Sequence, residues 1–235
     1  AIPGVTAPML YIGMLFSTFG WHVEDQYMHS VNFHHYGAPK TWYGVPANHA
    51  DGFEEVVMQQ VYSGSKEAQN MTRNEFAMEA VKAIAGKTTM FPPHHLMEAG
   101  VRVCRCVQQP GEFVVTYPRS YHGGFSHGYN CGEAVNFATA DWFPYGLAAT
   151  TRYSMLNLPP IMSVEALLCV EAKHLAEREE PSTGTGTSEK GHEGGTGVMQ
   201  VHTAVIQKAH CRLMLWQNNV RRILMENGAV CCRMP

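Results

Sequence analysis

Residues 8–46 consist of short runs of β-forming side chains separated by glycine and proline, a pattern typical of short strands in a sandwich or barrel. The pattern predicts four strands, at Met9–Phe16, Thr18–Glu24, His29–Tyr36 and Thr41–Val45. Because side chains alternate along a strand, we expect one face of the third strand to carry Ser30, Asn32, His34 and Tyr36. The opposite face would carry Val31, Phe33 and His35.

A helical segment interrupts the strands between residues 50 and 100. Ala50–Val61 and Glu75–Ala85 show helical spacing, and Pro92-Pro93 opens a short helix through Ala99. Four further strands are predicted, at Val101–Gln108, Glu112–Tyr117, Tyr121–Ser126 and Glu133–Thr139. This order indicates a mainly β fold with helical additions, a double-stranded β-helix (cupin-like jelly roll). In such a fold, residues distant in sequence meet at one mouth of the barrel.

The chain becomes helical after Trp142, with helices predicted at Ala148–Leu156 and Val164–Glu179. Pro181–Gly197 has the composition of a flexible linker or a disordered insertion. Val205–Met225 predicts an amphipathic helix whose apolar stripe we assign to a core rather than to a partner site. We divide the chain into a β domain (1–160, helical insertion at about 50–100), a helical extension (161–180), a linker (181–199) and a C-terminal helix and tail (200–235).

Composition narrows the class of protein. The chain has 235 residues, 45% hydrophobic and 16% charged, with a net charge of −3, which suits one sizeable domain with an appendage. This charge balance predicts no direct nucleic-acid binding by the chain, and no apolar run suits a membrane helix. The seven cysteines form no regular framework, which indicates a reducing compartment. Cys231-Cys232 are either ordinary thiols or the start of a metal-binding segment.

Candidate metal ligands occur in His22-Val23-Glu24 and in Pro118-Arg-Ser-Tyr-His122. Two imidazoles and one carboxylate make the protein ligand set of a non-haem iron(II) oxygenase. His-x-Glu alone arises often by chance, and spacing alone leaves His122 in competition with other histidines. Among these, we expect His94 and His95 to be solvated or to cap a helix. His127 could support a metal ligand from beside the site. His34 and His35 are expected to form hydrogen bonds within or beside the barrel.

A second candidate site surrounds Lys40, which follows the turn Gly37-Ala-Pro39. An exposed lysine is the ordinary reading of such a position. The alternative is that Lys40 holds the distal carboxylate of a 2-oxo acid near the metal, through a charge-assisted hydrogen bond. Asn32 would then add a hydrogen bond to this co-substrate, and Phe19 and Trp42 would wall it.

Several motifs together resemble one family. They are Pro8-Met-Leu-Tyr-Ile-Gly-Met, Phe19-Gly-Trp-His-Val-Glu-Asp, Ser30-Val-Asn-Phe, Pro39-Lys-Thr-Trp-Tyr-Gly-Val-Pro46, Pro110-Gly-Glu-Phe-Val-Val-Thr-Tyr-Pro and Tyr121-His-Gly-Gly-Phe-Ser-His-Gly-Tyr-Asn-Cys-Gly-Glu. In this order they closely resemble the Jumonji C (JmjC) domain of histone lysine demethylases, over roughly residues 4–160. The resemblance is to the plant enzymes and to the animal trimethyl-lysine demethylases that carry a Jumonji N segment.

The resemblance implies a role for each matching residue. His22, Glu24 and His122 match the iron ligands, and Lys40, Asn32 and Phe19 match residues that bind 2-oxoglutarate. The methyl-lysine pocket is implied at Tyr11, Gly4, Glu24 and Asn136, with Ala134 and Val135 tuning the preferred methylation state. A tyrosine that partners the lysine would lie upstream of Ala1, with further strands. Arg152 and Ser154 stand where some relatives have zinc cysteines, so no zinc is assumed.

The resemblance therefore predicts an iron(II)- and 2-oxoglutarate-dependent histone lysine demethylase that uses O2 and acts in the nucleus on the methylated tail of histone H3. Lysine twenty-seven of H3 is the first expectation, and lysines nine and four come next. Two alternatives share the fold: a JmjC protein hydroxylase, and a catalytically silent chromatin-binding module. Formaldehyde release separates the three.

Overall fold

A computed structural model describes residues 1–62, 72–179 and 203–215, together with positions 219, 222 and 226. The chain divides into two compact units. The first comprises Ala1–Ala138 and Ala148–Ile161, and the second comprises Thr139–Leu147 and Met162–Pro235. The predicted linker and the Cys231-Cys232 hypothesis fall outside the described residues.

Two antiparallel four-stranded sheets form the first unit, so the predicted fold class is confirmed. The strands are β1 (Met9–Gly13), β2 (Thr18–His22), β3 (His29–Gly37), β4 (Lys40–Val45), β5 (Cys104–Gln108), β6 (Phe113–Thr116), β7 (Tyr121–Ser126) and β8 (Asn130–Phe137). One sheet has the order β1-β8-β3-β6 and the other β2-β7-β4-β5. Strands distant in sequence thus become neighbours, as in a jelly roll.

The helical insertion lies between β4 and β5 and covers one face of the second sheet. It contains α1 (Ala50–Val56), a π-helical turn (Val57–Tyr62), α2 (Arg73–Ala85) and α3 (His94–Glu98). Their apolar side chains join those of the sheet in one buried cluster: Trp21, Val45, Ala50, Phe53, Val56, Val57, Ile84, Phe91, Leu96, Val101 and Tyr121. This cluster leaves the other face of the second sheet, which we call its inner face, free to form a site.

A β-bulge in β3 overturns one predicted side-chain direction. His34 pairs with Gly132 but Tyr36 pairs with Cys131, so the register shifts between the two residues. The extra residue reverses the alternation, as bulges do. Ser30, Asn32 and His34 are buried together on the face of the first sheet from which Asn32 contacts Gln108 of the second sheet, and we call this the inner face of the first sheet; Tyr36 is 52% exposed. The prediction that Tyr36 shares a face with Ser30, Asn32 and His34 is therefore wrong.

The second unit is helical. Helix α5 spans Val164–Glu179, and residues 203–215 are also helical. Leu168, Leu175, Ile206, Ala209 and Leu213 form its buried cluster, so the described part of the apolar stripe lies in a core.

Helix α4 (Phe143–Leu156) begins earlier than the predicted Ala148, since Pro144 is tolerated in a first turn. Among the described residues, no helix is long and apolar enough to cross a membrane. The five described cysteines are free thiols.

Candidate active site

Two histidines face each other across neighbouring strands of the second sheet. His22 ends β2, His122 lies in β7, and the two are direct partners in the antiparallel register. Their ring centroids are 4.3 Å apart. Glu24 follows β2 in an extended conformation (φ −66°, ψ 152°). The ligand atoms of the three side chains all lie within 4.8 Å of one another, so the fold brings the three predicted metal ligands together.

A β-bulge in β2 gives His22 its direction. Phe19 pairs with Gly124 and His22 pairs with His122, so β2 uses one more residue than β7 over this stretch. In an unbroken strand, Phe19 and His22 would point to opposite faces. The bulge puts both on the inner face, as bulges beside functional sites commonly do.

Buried aromatic residues anchor the strands that carry the two histidines. Trp21 and Tyr121 immediately precede His22 and His122 and enter the buried cluster under the helices. Trp21 Nε1 donates to the Phe91 carbonyl oxygen at 2.9 Å, and Tyr121 OH donates to the Glu54 carboxylate at 2.8 Å. Replacing a buried tryptophan with alanine costs about 3–5 kcal/mol, so these anchors hold the ligand-bearing backbone firmly.

Backbone hydrogen bonds select the same tautomer for both histidines. His22 Nδ1 lies 2.8 Å from the Gly20 carbonyl oxygen, and His122 Nδ1 lies 3.0 Å from that of Ser120. A carbonyl oxygen can only accept, so Nδ1 carries the proton in each ring. Nε2 is then left with its lone pair, which is the arrangement that a metal-binding histidine requires.

Burial and charge favour the metal-binding protonation states. Burial lowers the pKa of His22 to about 4, and the nearby His122 adds to this effect. Burial by itself raises the pKa of Glu24, but the hydrogen bond and charge of His122 outweigh it and hold that pKa well below its usual range. Neutral imidazole and ionised carboxylate are the forms that bind a metal.

The distance between His122 and Glu24 tests whether a cation fits. His122 Nε2 lies 3.3 Å from Glu24 Oε1. Because Nδ1 of His122 already donates to the Ser120 carbonyl oxygen, the two atoms lie this close only with positive charge between them, either a proton on Nε2 or a metal cation. Two imidazoles and one carboxylate, with the other positions open, suit iron(II). The donor set therefore fits the predicted ion.

A second group of potential ligands lies on α3. His94, His95 and Glu98 also have ligand atoms within 4.8 Å of one another, but His94 and Glu98 are exposed and His95 is half-buried. Within the described residues, the group in the barrel is the better metal centre.

Lys40 is a buried cation on the inner face of the second sheet, 8% exposed. Its Nζ lies 5.6 Å from the centroid of the Phe19 ring, and Phe19 packs edge-on against Trp42 at 4.7 Å. Among the described residues no carboxylate pairs with Lys40, and burial lowers its pKa. The interpretation of Lys40 as an ordinary exposed lysine is therefore wrong. A buried ammonium group without an anionic partner favours the binding of an anion.

The side chain of Asn32 extends from the first sheet towards Gln108, which is the register partner of Lys40 in the second sheet. Asn32 is 7% exposed, and its side chain accepts a hydrogen bond from Gln108 Nε2 at 3.2 Å. Gln108 also accepts from Trp42 Nε1 at 2.9 Å. Sequence reasoning missed Gln108, because Gln108-Gln109 ahead of the Pro110-Gly111 turn resembles any polar turn flank.

The predicted methyl-lysine residues fall on β1, β8 and the segment before β1. Ala134 pairs with Asn32, and Asn136 pairs with Ser30, so both share the inner face of the first sheet. Tyr11 pairs with Gly132, two residues before Ala134, and has the same direction. It is 45% exposed. The aromatic ring thus stands at an open edge of this face.

Asn136 connects this region to Gly4 and to one of the predicted metal ligands, and one predicted residue lies apart. Asn136 N donates to the Gly4 carbonyl oxygen at 2.7 Å, and the Asn136 side chain forms a hydrogen bond with Glu24. Val135 pairs with Val31 and so points to the opposite face. The structure does not bring Val135 together with Ala134 and Asn136.

The remaining histidines of the barrel have other partners. His127 Nε2 lies 2.7 Å from Thr41 Oγ1, so this ring supports the strand of Lys40 rather than a metal ligand. His35 Nε2 pairs with Glu133 at 2.9 Å on the exposed face. His34 is buried on the inner face, and burial lowers its pKa.

Comparison with known proteins identifies the class of this arrangement. The JmjC family, described as "JmjC domain, hydroxylase", matches residues 9–137. The chain is 47% identical over 228 residues to "Lysine-specific demethylase JMJ706" of Oryza sativa subsp. japonica, covering 97% of this chain and 25% of that protein. It is 50% identical over 167 residues to "Lysine-specific demethylase ELF6" of Arabidopsis thaliana, covering 71% and 12%. The human "Lysine-specific demethylase 5D" is 43% identical over 168 residues, covering 72% and 10%. The chain thus spans a quarter or less of each of these relatives.

Proposed function

This chain belongs to the JmjC domain family, and from that premise we propose that it is the catalytic part of an iron(II)- and 2-oxoglutarate-dependent histone lysine demethylase. The observation that carries the proposal is that one barrel holds both the cluster of His22, Glu24 and His122 and the buried Lys40, which has no carboxylate partner among the described residues. The ring of Trp42 lies between them, against His122 on one side and against Phe19, the neighbour of Lys40, on the other. A metal set and an anion-binding lysine within one barrel are the two parts that this chemistry requires. The names of the relatives support the assignment to lysine demethylation.

His22, Glu24 and His122 would hold the iron through Nε2 of each ring and a carboxylate oxygen. When bound, iron(II) with O2 and 2-oxoglutarate supplies the oxidation of an N-methyl group, which leaves as formaldehyde while 2-oxoglutarate becomes succinate and CO2. The two backbone hydrogen bonds to Nδ1 keep both rings in the binding tautomer throughout. The strand anchors keep the three donors in place, and burial excludes water from the centre.

Lys40 would bind the distal carboxylate of 2-oxoglutarate, with Asn32 as a hydrogen-bond donor and with Phe19 and Trp42 as the walls. The ammonium group gains a charge-assisted partner on binding, which strengthens the contact in a dry pocket. Tyr11, Gly4, Ala134 and Asn136 would then receive the methylated side chain beside Glu24. An exposed tyrosine ring attracts a methylammonium cation through its π face.

The substrate follows from the relatives' names only as far as methyl-lysine. We propose the methylated tail of histone H3 as the partner and the nucleus as the location. Lysine twenty-seven of H3 is the first candidate, with lysines nine and four next. A panel of H3 peptides, methylated singly at each lysine and in each state, assays this order directly, since the preferred peptide gives the highest kcat/KM.

Formaldehyde and succinate measured together test the proposed reaction. Full-length protein with Fe(II), 2-oxoglutarate and a methylated H3 peptide should release the two products in equal amounts. A protein hydroxylase would give succinate and an oxidised peptide without formaldehyde, and a silent module would give neither. Absence of formaldehyde across the whole H3 panel would refute demethylation.

The ligand assignment predicts a selective loss in His22→Ala. Turnover should disappear and affinity for Co(II), followed by its absorption spectrum, should fall by about tenfold or more, while circular dichroism stays near that of the wild type. His94→Ala removes a histidine from the exposed group on α3 and is the matched control. Retained turnover in His22→Ala, or equal losses in both variants, would refute the assignment.

A further inference from the structure

The side chain of Gln108 joins Trp42 to Asn32, two of the four residues that the proposed function places around 2-oxoglutarate. Gln108 ends β5 and is 1% exposed. In the strand register it pairs with Lys40, and its side chain contacts Trp42 within the same sheet and Asn32 in the opposite one. A single buried amide thus connects the two sheets at the floor of the candidate pocket.

The polarity of the hydrogen bonds in this cluster is fixed by Trp42. An indole N–H can only donate, and Trp42 Nε1 donates to Gln108 Oε1 at 2.9 Å. The opposite end of the Gln108 amide, Nε2, is therefore directed away from Trp42. There it donates to the Asn32 carbonyl oxygen at 3.1 Å and to Asn32 Oδ1 at 3.2 Å. The Glu112 carbonyl oxygen, also at 3.1 Å, is a third acceptor.

Gln108 in turn fixes the direction of the Asn32 side chain. Because Asn32 Oδ1 accepts from Gln108, its Nδ2 group points elsewhere and keeps both protons available. Within the residues that the structure describes, Asn32 Nδ2 has no protein acceptor. If the Asn32 amide were reversed, its Nδ2 would face Gln108 Nε2, and two hydrogen-bond donors would oppose each other. Oδ1, which can only accept, would then take the place that Nδ2 occupies now.

We propose that Gln108 is a positioning residue of the 2-oxoglutarate pocket. It holds the amide of Asn32 with its N–H groups towards the ligand and holds Trp42 as the wall beside Phe19. The direction matters because the carboxylates of 2-oxoglutarate only accept hydrogen bonds, so Asn32 contributes to binding in one of its two orientations. This inference rests on the proposed function, since it concerns the same pocket.

Gln108→Glu tests the proposal with little change of shape. A carboxylate still accepts from Trp42 but has no N–H for Asn32, so the asparagine amide is no longer held. Gln109→Glu is the matched control, because Gln109 is the adjacent glutamine and is exposed. The affinity of the full-length protein for 2-oxoglutarate is measured by calorimetry with Ni(II) at the metal site, and the metal affinity separately with Co(II).

The expected result is a selective loss. Gln108→Glu should bind 2-oxoglutarate roughly tenfold more weakly, with KM for 2-oxoglutarate rising more than kcat falls and with the metal affinity unchanged. Gln109→Glu should match the wild type. Gln108→Met, of similar size but without charge, should show the same loss, which separates the missing donor from an added negative charge.

Three outcomes would count against the idea. Affinity within twofold of the wild type in a folded Gln108→Glu or Gln108→Met overturns it, and so does an equal fall in metal and 2-oxoglutarate affinity. Should neither variant fold, Trp42→Phe decides, because it keeps a ring but removes the N–H that orients Gln108; 2-oxoglutarate affinity within twofold of the wild type there overturns the proposal. If the wild type itself binds no 2-oxoglutarate, the proposed function fails before Gln108 is tested.

Discussion

The ammonium group of Lys40 has an aromatic neighbour, Phe19 at 5.6 Å, but no carboxylate partner among the described residues. A buried charge of this kind costs folding free energy, which is recovered only when an anion binds. Lys40 therefore has opposite effects on binding and on stability. Residues that favour ligand binding but lower the stability of the folded protein are common in functional sites.

Lys40→Met should separate these two effects. Without 2-oxoglutarate, we expect the variant to be more stable than the wild type by about 1 kcal/mol, because an apolar side chain of similar length replaces an unpaired cation. With 2-oxoglutarate, the stabilisation seen in the wild type should be lost. Thermal unfolding with and without the ligand measures both. Lys82→Met, which removes an exposed lysine paired with Glu79, is the control and should change stability by less than about 0.5 kcal/mol.

The gain from Lys40→Met should depend on pH in a stated direction. Burial lowers the pKa of Lys40 in the folded protein, so the penalty is fully present below that lowered pKa. As pH rises from there towards the ordinary lysine pKa, the folded state releases its proton first and the penalty is relieved. The advantage of the methionine variant should shrink over this alkaline range. A difference that grows with pH would contradict the assignment of Lys40 as an unpaired cation.

At the level of elements, the bulge in β2 depends on the close approach of another segment. A Cβ on Gly20 would lie 2.6 Å from the Lys87 carbonyl oxygen and 2.8 Å from that of Thr89. Trp21 N donates to this same Thr89 oxygen at 2.7 Å. The segment after α2 is thus pressed against the strand just before the first metal ligand.

Gly20→Ala should therefore affect both folding and the metal site. We expect a loss of about 1–3 kcal/mol in the free energy of unfolding, because backbone atoms must move, and a weaker affinity for Co(II), because His22 shifts with the strand. Gly44→Ala is the control for stability, since a Cβ there meets nothing within 4 Å. Equal stability of the two variants would show that the contact at Gly20 is not tight.

A partly buried ion pair links three elements behind His122. Arg152 Nη1 of α4 lies 2.8 Å from Glu54 Oε1 of α1, and the same carboxylate accepts from Tyr121 OH of β7. Burial by itself lowers the pKa of Arg152, but the Tyr121 phenolate that forms at high pH and the Glu54 carboxylate outweigh it and raise that pKa. A network of charged and polar side chains thus joins α1, α4 and β7.

Breaking this network from one side should be costly. In Arg152→Met the Glu54 carboxylate keeps only Tyr121, and we expect a loss of roughly 2–3 kcal/mol in chemical denaturation. Arg222→Met is the control, because Arg222 and its partner Glu226 have side chains that are 65% and 59% exposed, and it should cost less than about 1 kcal/mol. A smaller loss in Arg152→Met than in the control would show that the network contributes little.

For the whole molecule, the sequence was informative where one interaction dominates. Periodicity and turn residues predicted the eight strands and α5, since burying one face decides those elements. The spacing of His22 and Glu24 is local and could be read directly. What was missed depends mainly on register: the bulge that exposes Tyr36 and the burial of Gln108 rather than Gln109 each follow from pairing with a strand far along the chain. The opposite direction of Val135 follows from the alternation of side chains along β8, which the sequence could have predicted.

Strands β4 and β5 pair directly, although residues 46–103 separate them along the chain. The entropy of closing such a loop grows only slowly with its length, and both strands are already fixed by their neighbours in the sheet. Lengthening or shortening the connection would therefore leave the spacing of the three candidate metal ligands almost unchanged. The length and the outer surface of the helical insertion are thus free to vary, provided that its contacts with Trp21 and Tyr121, which hold the strands of His22 and His122, are kept.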